Sequence, residues 1–282
     1  MKKSKQKKVE LLRKYFKKKK SVVLAFLFGS QAKGREMKES DWDIGVYFKP
    51  REYLELETNF KYPGEERIWS DLVNILKTDN VDLVVLNRVR PDLVYTVLRD
   101  GIPLIIRDKG LYFDLLCKTY YEAIDWWNFV LEFYKIGEKA RSISLQAKAK
   151  IVERLKFLER EFSDIEKMKK IDWDDYRKDW FKQRVIERWI ERLVMAAIDI
   201  AQIFLASEKR EVPESYQDAL KLFVSLNLKF SEKEAEAFSN FAKLRNIVAH
   251  EYLDIKWSKI KKFVAEAEKL FPKFIKKVKN LL

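Results

Sequence analysis

From Leu145 onward, the apolar residues of this 282-residue chain recur with a period near 3.6 almost without interruption. That pattern confines the second half to helices packed on helices. The expected helices run over 145–169, 174–207, 215–227, 231–252 and 257–281, and their short connections predict an antiparallel bundle. Asp172 or Asp174 is placed to cap the second, and Ser231 with Glu234 forms a capping box for the fourth. The first half reads differently. Residues 22–28, 42–48 and 81–86 are apolar runs of strand length, and helical patterns cover 8–20, 65–78 and 91–100. Residues 102–106 form a further strand in which Pro103 predicts an edge position. Aromatics at helical spacing fill 111–137, including Trp126 and Trp127, and suit a core or interdomain face better than a base-stacking platform. The fold class expected is α+β: a small mixed sheet flanked by helices, then an all-α bundle. Gly137 and the polar stretch to Ser144 mark the boundary, giving domains 1–140 and 141–282.

Charge is concentrated at the two ends. Residues 1–20 carry eleven Lys or Arg against Glu10, and residues 256–282 carry nine Lys against two Glu. The overall charge is +14, so the middle is close to balanced. Basic ends of this kind favour a polyanion such as RNA, although solubilising lysines on solvated helix faces are the commoner cause. Cys117 is the single cysteine, which excludes an internal disulfide and fits a reducing cytoplasm. Lysines followed by Val22–Phe28 imitate a signal peptide, but the run ends in Gly29-Ser30-Gln31-Ala32-Lys33 without a cleavage site. A buried strand explains it better. No stretch is long enough to span a bilayer, so no membrane association is expected.

Two constellations carry chemistry. The first strand runs into Gly29-Ser30, with Ala32 and Gly34 following. Small residues there let the backbone approach a phosphate, with N–H groups and the Ser30 hydroxyl as donors. Asp41 and Asp43 enter the second strand, where alternation points both to one face. Two carboxylates forced together repel unless a cation neutralises them, and hard oxygen ligands beside nucleotide phosphates suit Mg²⁺. Asp82, heading the 81–86 strand, is either a turn residue or the third ligand of a two-metal site. The second constellation is Arg245-Asn-Ile-Val-Ala-His-Glu-Tyr252, which holds the chain's one histidine. On a helix, Arg245 and Tyr252 fall about 20° apart and His250 roughly 140° from the arginine. Spacing alone favours a packed histidine without a task.

Residues 29–43 (Gly-Ser-Gln-Ala-Lys-Gly, five residues, Ser-Asp-Trp-Asp) resemble the minimal nucleotidyltransferases of the DNA polymerase β superfamily. The resemblance implies that Gly29 and Ser30 hold nucleotide phosphates, with Lys33 and Gly34 in the same loop. It also implies that Asp41 and Asp43 bind two metal ions while Asp82 helps activate the acceptor hydroxyl. Lys33 stands where many relatives have arginine, which keeps the charge and loses the bidentate fork. In the second half, Gln183–Trp189, Ala196–Ala201, Pro213–Tyr216 and Leu244–Tyr252 resemble the HEPN family, particularly the toxin branch found beside minimal nucleotidyltransferases. This resemblance spans roughly 145–262. It implies a metal-independent ribonuclease built from two bundles, in which His250 transfers protons, Arg245 supplies positive charge and Asn246 a neutral hydrogen bond. Asp199, among Ala and Ile, is left to a structural bond.

In related systems the transferase attaches AMP to the tyrosine of the toxin motif. A single chain carrying both parts therefore implies Mg²⁺-dependent AMP transfer from ATP to Tyr252, controlling an RNA-cleaving homodimer in a toxin–antitoxin-like arrangement. Two alternatives stay open. One is a nucleotidyltransferase for a small molecule such as an aminoglycoside, with the bundle holding the substrate. The other is a bundle that binds RNA or nucleotide without cutting.

Overall fold

The computed structural model describes residues 2–33, 41–51, 54–58, 60–139, 144–250 and 257–282, with backbone alone at residues 2–4, Lys33, Lys139 and His250. It divides into two compact units, 1–124 and 125–282.

In the first unit, α1 (Lys2–Lys18) leads into β1 (Val22–Phe28), a short helix α2 (Gly29–Lys33) and β2 (Trp42–Phe48). Helix α3 (Glu65–Leu76), β3 (Val81–Val85), α4 (Pro91–Asp100) and β4 (Ile102–Ile106) follow, and α5 (Lys109–Lys139) then leaves the unit. The sheet order is β3-β2-β1-β4. β1 pairs antiparallel with both β2 and β4, while β2 and β3 run parallel. Pro103 therefore lies on an edge strand, as its missing N–H requires.

Alternation along the strands splits the apolar side chains between two faces. Ala25, Leu27, Ile44, Val46 and Phe48 pack on Leu12 and Phe16 of α1 and Leu72 and Leu76 of α3. Leu24, Phe26 and Tyr47 face the other way, against Val94, Val97 and Leu98 of α4 and Leu111 and Leu115 of α5. α4 reaches the sheet closely, since a Cβ on Gly45 would stand 3.0 Å from Val97 Cγ1. The buried Asn87 side chain closes the far end of β2: its Oδ1 accepts from Phe48 N–H at 2.8 Å and its Nδ2 donates to Phe48 C=O at 3.2 Å.

The second unit takes the last turns of α5 together with α6 (Leu145–Phe162), α7 (Ile165–Lys169), α8 (Trp173–Lys178), α9 (Trp180–Ser207), α10 (Tyr216–Leu226), α11 (Glu232–His250) and α12 (Trp257–Leu281). Gly137, expected near the domain boundary, continues α5, and Ser144 caps α6 by accepting from Ala147 N–H. Two expected helices are each broken once. Residues 145–169 turn at Ser163–Asp164 between α6 and α7. Residues 174–207 break at Asp179, whose carboxylate accepts from Phe181 and Lys182 N–H and starts α9. Asp172, rather than Asp174, caps the shorter α8. The Ser231–Glu234 box forms as expected, with both reciprocal backbone bonds present.

α9 is the bundle's axis. Ile190, Leu193, Val194, Ala197 and Ala201 are fully or almost fully buried along it, and Phe223, Phe238, Phe241, Phe263, Phe271 and Phe274 fill the space between α10, α11 and α12. Each buried phenylalanine contributes about 1.5–3 kcal/mol by leaving water. Among the described residues no helix is long and apolar enough to cross a membrane.

Candidate functional site

At one end of the sheet, Asp43 is paired across β1 with Phe28 and across parallel β3 with Asp82. The register makes the two aspartates direct neighbours. Both have the strand parity of Gly45, Tyr47 and Val84, so both rise from the face that α4 covers, and Asp41, two residues before Asp43, shares that parity. Asp43 is half-buried, while Asp41 and Asp82 are exposed. The Asp43 carboxyl is pushed above its ordinary value by burial first, then by the negative charges of Asp82 and Asp41.

Gly29 completes this corner. Its φ of +68° is a left-handed conformation that glycine tolerates, and a Cβ there would stand 1.9 Å from Asp43 Oδ2. The backbone at the start of α2 is thus laid directly against the carboxylate that the second strand presents. Ser30 follows, half-buried. One lysine of α1 borders the loop, the Lys5 ammonium donating to Gln31 C=O; Lys8 Nζ lies 5.1 Å from the Trp42 ring centroid, on the sheet face opposite the aspartates. At Lys33 the backbone alone is described, and Gly34 lies outside the described residues.

The donor set is that of a hard cation: three carboxylates whose mutual repulsion a divalent ion would relieve. Among the described residues, which include all three aspartates, no group of three acidic, histidine or cysteine side chains is placed to hold a metal ion as it stands. Substituting Gly29 by Ala is expected to lower nucleotide transfer about 10²-fold, because the methyl must displace Asp43 by more than an ångström. The same change adds about 1–2 kcal/mol of backbone strain. Steady-state transfer rates and melting temperature, read on one preparation, check both.

The second candidate site lies near the end of α11. Arg245 is buried, 6% exposed. Its Nη2 donates to Asp125 Oδ2 at 3.2 Å, its Nη1 donates to Asn246 Oδ1 at 3.2 Å, and its guanidinium carbon lies 5.4 Å from the Tyr216 ring centroid. Tyr216 in turn donates to Asp125 C=O at 2.9 Å and meets Trp126 and Phe129 edge-on. The arginine expected to meet a phosphate is therefore held by a carboxylate of α5. Nearby, Asp199 bonds Arg154 Nε at 3.0 Å. Burial, with the Glu132 charge adding to it, pushes its carboxyl up to about 6 against the opposing pull of Arg154 and Arg245. His250 is the last residue of α11, five places beyond Arg245, and Tyr252 lies outside the described residues.

Arg245 and Asn246 are thus brought together, as are Gly29, Asp41, Asp43 and Asp82. Sequence reasoning missed Asp125. It sits in an aromatic-rich stretch, and no spacing rule links it to a residue 120 positions away. Lys5, beside the Gly29-Ser30 loop, was visible only as part of a charge run.

Residues 10–110 match the family described as "Polymerase beta, Nucleotidyltransferase", and residues 158–278 match the family described as "Ribonuclease HepT-like". No curated protein matches the sequence. The first match holds the whole sheet and the three aspartates; the second holds α9 to α11 and the Arg245–His250 spacing. This chain is a fusion of a minimal nucleotidyltransferase of the polymerase β type with a HEPN domain of the HepT-like ribonuclease type.

Proposed function

We propose that the first domain transfers AMP from ATP to Tyr252 and thereby controls an endoribonuclease formed by the second. The observation that carries the transfer is the corner where Gly29 backbone, Asp43 and Asp82 meet at one end of the sheet. In the reaction the Tyr252 oxygen bonds to the α-phosphorus of ATP, the bond from that phosphorus to the pyrophosphate oxygen breaks, and the phenolic proton leaves toward Asp82. Gly29 and Ser30 N–H groups, with the Ser30 hydroxyl and Lys33, hold the phosphates. Asp41, Asp43 and Asp82 would hold Mg²⁺, which when bound offsets charge on the phosphates and on the departing pyrophosphate. Lys5 adds positive charge beside the loop.

In the ribonuclease, the RNA 2′-oxygen attacks its adjacent phosphorus and the 5′-oxygen departs. His250 moves the protons, Arg245 stabilises the charge on the phosphorane, and Asn246 orients the arginine through its amide oxygen. No metal enters this step. Two bundles in a homodimer would bring two Arg245–His250 pairs to one cleft. A nucleotide on Tyr252, two residues from His250, would add bulk and negative charge beside the arginine. Incubating the chain with ATP and Mg²⁺, then measuring intact mass and mapping peptides, tests the reading. One AMP on the peptide containing Tyr252 is expected, and absence of any adduct while ATP binds sinks it.

The pairing of Arg245 with Asp125 favours a second reading, in which the bundle binds RNA or nucleotide without cutting. Replacing His250 by Ala separates the two. Loss of cleavage with retained RNA binding supports the nuclease; an absence of cleavage in both forms supports the binding module.

A further inference from the structure

Two ion pairs of the second unit differ in which partner is buried. In the pair of Arg245 with Asp125 the cation lies inside, its side chain 7% exposed against 36% for the carboxylate. In the pair of Arg154 with Asp199 the order is reversed, the arginine 46% exposed and the carboxylate 24%. A polyanion arriving from solvent therefore meets a carboxylate first at Arg245 and a guanidinium first at Arg154. We propose that Arg154, aimed by Asp199, contacts an RNA phosphate and holds the strand beside Arg245. This rests on the reading of the second domain as one that acts on RNA.

The guanidinium is held at one edge and open at the other. Arg154 Nε lies 3.0 Å from Asp199 Oδ2, and no acceptor other than Asp199 meets this side chain among the described residues. A guanidinium is planar and carries five N–H donors, so an anchor at Nε fixes its plane and leaves the Nη groups for a second acceptor. Two oxygens of a phosphate match that fork. Asp199 stands on α9 between Ile198 and Ile200, both fully buried. Burial is the largest influence on its carboxyl and works against its charge, and Arg154 is the strongest of the charges that keep it ionised. A carboxylate in such a place is weak support for the fold, because its desolvation offsets what the ion pair gains. Fixing the direction of an outward arginine gives it a use.

The pair belongs to the surroundings of Arg245. The Arg245 charge acts on Asp199, and both act on Tyr216, whose ring centroid is 5.4 Å from the Arg245 guanidinium carbon. Gln202, one turn beyond Asp199, donates to Phe129 C=O at 2.8 Å, and Phe129 is one turn beyond Asp125. α9 and α5 are thus tied together where each presents its carboxylate. The two arginines divide the work: Arg154 binds a phosphate in the ground state, and Arg245 meets the phosphorane once a substrate phosphate displaces Asp125. A contact equally strong in ground and transition states lowers KM without raising kcat.

The test uses the full-length chain carrying His250→Ala, so that RNA is not cut, and a fluorescent oligoribonucleotide titrated at several salt concentrations. Adding Arg154→Gln should weaken binding severalfold for RNA of any sequence. It should also lower the slope of log affinity against log salt by about 0.7, the value for one phosphate contact to a single strand. Arg154→Lys should keep the slope and still weaken binding, because the charge stays and the fork is lost. Asp199→Ala should weaken binding without lowering the melting temperature. A carboxylate that only competed with RNA would, once removed, strengthen binding, as expected for Asp125→Asn. With His250 restored, Arg154→Gln should raise KM severalfold and leave kcat unchanged. Unchanged affinity and slope in Arg154→Gln overturn the phosphate contact, and stronger binding in Asp199→Ala overturns the positioning role. Lower melting temperatures in both variants with no change of slope mark a structural ion pair and overturn the proposal as a whole. Failure of the His250→Ala parent itself to bind RNA overturns the RNA reading of the domain, and this inference with it, before any change at 154 or 199 is made.

Discussion

Asp43→Asn is expected to reduce nucleotide transfer by about 10³-fold or more while making the protein slightly more stable at neutral pH. The loss follows from its position, flanked by Asp82 in the parallel register and covered by Gly29 backbone, where no other side chain can take its place. The gain follows from its electrostatics. Burial and two neighbouring carboxylates raise the Asp43 pKa above the ordinary 3.8. A carboxyl whose folded pKa exceeds its unfolded value binds its proton more tightly when folded. Stability is therefore complete below the unfolded pKa and declines as pH rises through the folded value. Asn removes that penalty. Thermal melting of both proteins should show a Tm advantage for the variant of a few degrees at pH 7. The advantage should shrink as pH falls toward 3.8, below which the wild-type carboxyl is protonated in both states. Equal Tm values at pH 7 would mean that solvent around the exposed Asp41 and Asp82 screens the repulsion.

Arg245→Ala is expected to abolish RNA cleavage and, unlike the first variant, to cost stability. Cleavage should fall about 10²–10³-fold, the usual consequence of removing a charged group that meets the transition state. The fold should lose about 1–3 kcal/mol, because the buried side chain packs over Tyr216 and satisfies both Asp125 and Asn246. Asp125 is only half-buried and rehydrates, which keeps the loss from being larger. Asp125→Asn is the informative companion. It removes the charge that competes with phosphate for Arg245, so cleavage or RNA affinity should rise severalfold. Urea denaturation for stability and a quenched-fluorophore RNA assay for cleavage distinguish the two effects. Unchanged cleavage in Arg245→Ala would remove the arginine from the site.

Much of this molecule is legible in its sequence, for reasons that are local. The strands at 22–28 and 42–48 and the helices at 91–100 and 257–281 coincide with their apolar periods, because burial of one face is what makes each element form. Pro103 marks the edge strand through its missing N–H, and Ser231 with Glu234 marks a helix start through reciprocal bonds three residues apart. The Gly29, Asp41 and Asp43 corner is readable because alternation places both acids on one face of the strand that follows the loop. Asp82 was ambiguous by sequence, turn residue or site residue, since only the parallel pairing of β2 with β3 makes it a neighbour of Asp43.

The helix breaks at Asp179 and Ser163–Asp164 escaped the periodicity, because 3.6-residue spacing survives a one-residue interruption that a cap creates. The state of Arg245 was beyond any local rule. A motif places an arginine five residues before a histidine and implies that it meets a phosphate. Whether it points to solvent or into a carboxylate depends on a helix 120 residues earlier, and nothing in the residues around 245 encodes that contact. Likewise, Ser207 looks like an ordinary helix-end serine until packing buries it without a bond. Sequence by itself determined the element types, the two families and which side chains can do chemistry, because those depend on period, turn chemistry and residue type. Tertiary structure alone decided which of those side chains are neighbours, which are already engaged and which are buried unsatisfied, because contact between distant segments is set by how the faces pack.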